Sequence, residues 1–156
     1  MTEREAVTAL RGDDPALAGR AAAVLWEIWC TADDPALAAL LQAGTSAMAR
    51  GDVDTADRRF TELIERAPDF AEGWNKRATA RFLAGRYDDS IADCRETLAR
   101  KPHHFGALSG QGLCHMALGQ PGHAVALFRR TLAVYPHLEA ARRNLRVAIS
   151  EIVKAN

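Results

Sequence analysis

The chain has 156 residues, of which 48% are hydrophobic, and its 20 basic and 20 acidic side chains leave no formal net charge. This length and composition suit one soluble domain with a sizeable core. The balanced charge argues against general nucleic-acid binding, which needs a basic face that releases counterions.

The first 36 residues predict two helices. Thr2 and Glu5 have the spacing of a capping box for a short leading helix. Asp14 followed by Pro15 predicts the start of a second helix, which we expect to run to Cys30. The chain begins without the apolar core of a secretory leader, and its most apolar stretch, 21–29, is too short to cross a membrane.

Thiol usage bears on the compartment. Cys30, Cys94 and Cys114 are widely spaced and odd in number, and therefore predict neither a disulfide framework nor a structural metal. We expect reduced thiols in a cytoplasmic protein. A leader removed from a longer precursor would instead make the protein periplasmic or secreted.

From residue 37 onward the sequence repeats every 34 residues. Such a period predicts helical hairpins that must stack to bury their apolar faces. In each copy, a glycine ends the first helix in a left-handed conformation, and a proline follows the second helix. The columns that keep the period are Gly51, Gly85 and Gly119; Ala56, Ser90 and Ala124; Phe60, Cys94 and Phe128; and Pro68, Pro102 and Pro136.

This pattern resembles the tetratricopeptide repeat family. Two further columns match its signature, namely Leu40, Trp74 and Leu108, and Gly44, Ala78 and Gly112. The resemblance implies an all-α, right-handed superhelical solenoid with complete repeats at 37–70, 71–104 and 105–138. The whole chain also looks similar to small bacterial repeat proteins, some of which are exported.

The two ends follow the same period. Trp26 lies 34 residues before Phe60, so we expect residues 1–36 to form a degenerate zeroth repeat with 15–30 as its second helix. Residues 139–156 carry an apolar stripe from Ala141 to Ile152 and predict a capping helix over the last core layer.

Charges are unevenly placed along the chain. Residues 1–36 carry seven acidic and three basic side chains, whereas residues 125–156 carry six basic and two acidic ones. The simplest interpretation is two solvated ends of a rod. The alternative is a structural protein that self-assembles weakly, with its acidic end against the basic end of a neighbour.

The resemblance also implies that the first helices of the hairpins line a concave groove for a partner. We expect an apolar floor that binds a peptide or amphipathic helix of another protein. An open alternative is that the N-terminal helix already covers this floor. The predicted groove residues are Leu41, Thr45, Met48, Asn75, Lys76, Thr79, Phe82, Leu83, Ser109, Leu113 and Met116.

Chaperone-binding members of the family grip a terminal carboxylate with lysine, asparagine and arginine side chains. The corresponding places here hold Leu41, Thr45, Lys76, Gly106 and Gly110, of which only Lys76 is cationic. This clamp is therefore absent from the sequence.

One polar cluster allows a different function. Arg77 and Arg81 lie one turn apart, and Gln111 and His115 follow them by one period, which would suit an anion-binding slot. The simpler interpretation is an ion pair between Arg77 and Asp93. We predict no catalytic residue, cofactor or metal site, and therefore a non-catalytic interaction scaffold.

Overall fold

The computed structural model describes residues 1–156 and contains nine α-helices and no strand, which confirms the all-α prediction. The helices are α1 (Glu3–Leu10), α2 (Pro15–Cys30), α3 (Pro35–Ala49), α4 (Val53–Arg66), α5 (Ala71–Leu83), α6 (Tyr87–Arg100), α7 (Phe105–Ala117), α8 (Pro121–Val134) and α9 (Glu139–Ala155). Helices α3 to α8 pair as three consecutive hairpins, and α9 packs on the last of them.

The hairpins stack into a curved array. The first helices of neighbouring hairpins, α3, α5 and α7, contact one another across the stack. The second helices, α4, α6 and α8, contact the helices that precede and follow them in the chain and have no comparable contact with one another. The array therefore curves with α3, α5 and α7 on its inner side, as expected for a solenoid of helical hairpins.

A glycine at the turn and a small residue at the helix crossing shape each hairpin. Gly85 has a φ of 75° at the turn between α5 and α6, a conformation that other residues rarely adopt. A Cβ on Gly112 would lie 2.6 Å from the ring of Phe128, so the missing side chain lets α7 and α8 approach closely. Phe128 is fully buried in that gap.

Short polar side chains begin several helices. The capping box at Thr2 and Glu5 forms as predicted, because each side chain bonds the backbone of the other. Asp14 accepts from the backbone N–H groups of Ala16 and Leu17, and Pro15 follows it at the first helical position. These bonds fill backbone donors that a helix start leaves unpaired.

The N-terminal hairpin of α1 and α2 does not occupy the place expected for a zeroth repeat. The apolar cluster around Phe60 contains no residue of either helix. Instead Leu25 and Trp29 of α2 share a core with Phe105 and Leu108 of α7. The hairpin therefore folds back over the inner side of the array, about the start of α7.

An ion pair and a hydrogen bond attach the N-terminal hairpin to residues that are distant in sequence. Lys101 Nζ lies 2.8 Å from Glu3 Oε2, and His137 Nε2 donates to the backbone oxygen of Gly12 at 2.8 Å. Burial alone would raise the pKa of Glu3, but the hydrogen bonds from Lys101 and Trp29 outweigh it and lower that pKa. The acidic N-terminal segment thus lies beside the end of the second repeat and the third repeat, and the expected separation of charge along a rod is reduced.

At each end of the stack, the terminal helix, α3 or α9, exposes a face that a neighbouring helix covers in the inner repeats. A Cβ on Gly73 in α5 would meet Ile64 of the preceding α4, and Ala107 at the same place in α7 is buried. The corresponding Ala39 of α3 is exposed, because no helix precedes it in the stack. At the other end, Val153 of α9 is 67% exposed.

Candidate binding groove

The predicted groove residues divide into an open half and a closed half. In the open half, near the ends of α3, α5 and α7, Leu83 is 58% exposed and Thr79 is also exposed. The other members of this open strip are half-buried. They are Thr45, Met48, Phe82, Ser109, Leu113 and Met116.

In the closed half, helix α2 lies over the beginnings of α5 and α7. Trp26 sits directly on Gly106, where a Cβ would come within 2.6 Å of the indole ring. Asn75 is buried, and Lys76 is half-buried. Leu41 is also buried, but in the core around Phe60 and not beneath α2. The N-terminal hairpin thus covers part of the predicted floor and leaves the strip from Met48 to Met116 accessible.

A buried polar network supports the covered half. His104 Nδ1 accepts from the backbone N–H of Ala107 at 3.0 Å, so its proton is on Nε2, which lies 3.1 Å from Glu72 Oε2. Asn75 donates to the other Glu72 oxygen at 2.8 Å. The ring of Trp29 stacks on His104 with their centroids 4.3 Å apart. Glu72 is therefore hydrogen-bonded although it is fully buried, and this network fixes α2 on the groove.

A small cavity of about 130 Å³ opens between α5 and α7, at the border of the two halves. Its apolar wall comprises Ala78, Phe82, Cys94 and Leu113, with Gly106 and Gly110 on α7.

Three polar side chains also line the cavity, but each is already bonded within the protein. Asn75 donates to Glu72, Thr79 donates to the Asn75 backbone oxygen, and Ser90 donates to the Ala78 backbone oxygen. No charged side chain lines this space. The cavity is therefore suited to an apolar group.

The predicted anion slot does not form. Arg77 donates to both Asp93 carboxylate oxygens, at 2.9 and 2.8 Å, and to Thr61 Oγ1 at 3.1 Å. Arg81 donates to Asp57 at 2.9 Å and to Asp93 at 3.0 Å. Two nearby carboxylates balance the two guanidinium groups, so the simpler interpretation of an Arg77–Asp93 ion pair is confirmed.

The other two residues of that cluster lie apart from these ion pairs. Gln111 and His115 are buried in α7, one hairpin further along. His115 Nδ1 lies 2.7 Å from Gln120 Oε1, and its ring stacks on His123 with centroids 5.0 Å apart. They share no hydrogen-bond partner with Arg77 or Arg81, since one period separates them along the stack.

The cysteine thiols and the potential metal ligands do not form a further site. Burial, together with the neighbouring Cys114 and Asp93, raises the pKa of Cys94 to about 12, so its thiol stays protonated at neutral pH. All three cysteines are free. No group of three or more His, Cys, Asp or Glu side chains is arranged to hold a metal ion. None of the helices combines the length and the apolar character that a membrane crossing requires.

A sequence profile described as "Tetratricopeptide repeat" matches residues 41–105 and 85–144, which together make up most of the chain. The chain belongs to this family. The two matches run from within α3, through the rest of the three hairpins, to the beginning of α9.

Among tetratricopeptide repeat proteins of known sequence, the chain is similar to TPR repeat-containing protein RHE_CH03534.1 of Rhizobium etli. The two are 34% identical over 91 residues, which cover 58% of this chain and 45% of the relative. The chain thus spans less than half the length of this relative.

Solved structures share the fold at lower identity. The first TPR of Spaghetti (RPAP3), bound to the HSP90 peptide SRMEEVD, is 22% identical with a TM-score of 0.73, and the match covers 75% of this chain and 93% of that one. The Sgt2 TPR domain from Aspergillus fumigatus is also 22% identical, with a TM-score of 0.74 over 80% of this chain and 84% of that one.

The fit between α2 and α7 is not predicted by the repeat period. The period aligns Trp26 with Phe60, and it gives Gly106 and Gly110 no role beyond the missing clamp residues. Two glycines one turn apart on a groove-lining helix are the available signal, because they leave a trough that a large side chain can fill.

Proposed function

We propose that this protein is a non-catalytic adaptor that binds an apolar peptide or amphipathic helix of another protein in the open half of its groove. The observation that carries the proposal is the partly exposed apolar strip from Met48 through Phe82 and Leu83 to Met116, on the groove-lining helices of a family member. A related fold bound to a peptide supports this use of the surface.

The way the partner is held should differ from a carboxylate clamp. Lys76 is the one cation at the clamp positions, and its Nζ lies 3.9 Å from Glu72. Apolar contact therefore has to supply most of the binding energy. Burial of ~400 Å² of apolar surface corresponds to roughly 10 kcal/mol before the costs of association, which suggests micromolar affinity.

Affinity capture from the native cell, followed by mass spectrometry, tests the proposal. The wild-type protein is compared with Leu83→Glu and Thr79→Glu, which place a charge on the strip at exposed positions. Ala126→Glu, on the exposed side of α8, is the matched control. We expect a partner captured by wild type and control and lost with both groove variants; a partner retained by all four proteins would refute the groove.

Self-association is the second candidate function. The exposed faces of α3 and α9 are those that a further helix covers within the stack, and both carry small or apolar residues such as Ala39 and Val153. Asp33 and Asp34 precede α3, whereas Arg142 and Arg146 lie in the first half of α9. Parallel stacking of α9 on α3 of a second copy would bring these opposite charges together.

Light scattering across a salt series tests this second candidate. A mass above the 17.0 kDa of one chain at low salt, reduced by added salt and by Val153→Glu, is the expected result. A particle that stays at the mass of one chain at the lowest salt would exclude it.

A further inference from the structure

Helix α2 already shows how this groove accepts a helix. It lies across α5 and α7 and places Trp26 on Gly106, at a point where any side chain on α7 would collide with the indole. The contact therefore depends on a missing side chain beneath a large one.

One turn further along α7, Gly110 forms a gap of the same kind that nothing fills. A Cβ on Gly110 would meet only Cys94 Sγ, at 3.8 Å, which is an ordinary contact distance. The space above it is the cavity of about 130 Å³ between α5 and α7. Because Gly106 lines the same cavity, the interface of α2 with the groove continues directly into it.

The cavity specifies the chemistry of what enters it. Its lining contains no charged side chain, and its polar side chains have partners within the protein. A cavity of ~150 Å³ lined by apolar side chains stays dry and accepts a molecule the size of benzene. A space of about 130 Å³ therefore suits one branched or unbranched aliphatic side chain.

We propose that the partner is a helix that lies beside α2 and inserts one aliphatic side chain, of the size of leucine or methionine, into the pocket at Gly110. Gly110 is the residue that determines this specificity, because a side chain of its own would occupy the space. This inference rests on the proposed groove function and names the anchor that the partner must carry.

A displayed library of helix-forming peptides with randomised surface positions, selected on the full-length protein, supplies the probe. We expect the selected peptides to share one aliphatic position and to bind with micromolar affinity. Selected peptides without such a position, or a library that yields no binder, would overturn the proposal.

Substitution of the glycine then tests the pocket itself. Gly110→Leu should weaken binding about 10- to 100-fold, the factor for burial of one aliphatic side chain. Gly122→Leu is the matched control and should leave the affinity unchanged, since a Cβ on Gly122 in α8 would have nothing within 4 Å. Circular dichroism should show both variants folded, because neither position is crowded.

A double-mutant cycle separates the pocket from the groove. Replacing the shared aliphatic residue of the peptide with alanine should weaken binding to wild type as much as Gly110→Leu does, and should add little further loss to that variant. Peptides that bind Gly110→Leu as well as wild type but are lost with Leu83→Glu would refute the pocket and leave the groove function standing. Peptides insensitive to both variants would refute both.

Discussion

Replacing Trp29 with alanine tests whether the N-terminal hairpin is a fixed part of the core. Trp29 is only 3% exposed; it stacks on His104, packs against Phe105 and donates to Glu3 at 2.9 Å. Removal of a buried tryptophan costs about 3–5 kcal/mol of unfolding free energy. Because a domain of this kind has about 5–15 kcal/mol in total, the loss should be large.

Urea denaturation followed by circular dichroism gives the free energy of unfolding for each protein. Trp29→Phe is the control, because it keeps an aromatic ring beside His104 and loses only the hydrogen bond to Glu3 and part of the buried ring volume, so it should cost less than the alanine variant. We expect one cooperative transition in both variants, at much lower urea for the alanine. A cost below about 1 kcal/mol for Trp29→Ala, or a separate early transition in wild type, would refute the reasoning and indicate a loosely docked hairpin.

Three further predictions concern the interior charges and thiols. Asp93→Asn should destabilise the protein by about 3 kcal/mol in urea denaturation, because it leaves two partly buried guanidinium groups without their shared carboxylate; a change below ~1 kcal/mol would contradict the ion-pair network. Burial alone would raise the pKa of Asp57, but the hydrogen bond and charge of Arg81 lower it below the ordinary value of 3.8. The stability that Asp57 contributes is therefore complete above that value and is lost as pH falls through the folded pKa. Asp57→Asn should therefore reduce the loss of unfolding free energy seen below about pH 4. An equal loss in both proteins would disprove this. Iodoacetamide at mildly alkaline pH should modify half-buried Cys30 before Cys94, whose pKa is about 12; mass spectrometry that finds Cys94 modified first in the folded protein would contradict the burial described above.

The periodicity of the sequence was sufficient to predict the three hairpins. Glycine at Gly51, Gly85 and Gly119 and aromatic rings at Phe60 and Phe128 act within one hairpin, so their spacing carries the structural information directly. The ion pair between α5 and α6 could be predicted for the same reason, since its partners belong to one repeat.

The placement of the N-terminal hairpin could not be predicted from the sequence period. Trp26 fits the repeat period, but the period cannot specify whether a helix stacks in line or folds back over the array. That choice depends on partners distant in sequence, namely His104, Phe105 and Gly106, whose complementarity to two indole rings is a property of shape. Likewise, the pocket at Gly110 is defined by an absent side chain and by the distance between two helices.

The link between the start of the chain and its second and third repeats changes how the molecule should fold. In an array held only by contacts between adjacent units, folding can begin anywhere and spread. Here Glu3 contacts Lys101 and Gly12 contacts His137, so these contacts join residues that are far apart in sequence. During synthesis from the N-terminus, the N-terminal hairpin therefore docks only after most of the polypeptide has been made. Until then Trp26 and Trp29 lack the residues that bury them in the native state. The fold is complete only when the N-terminal hairpin docks on these distant helices.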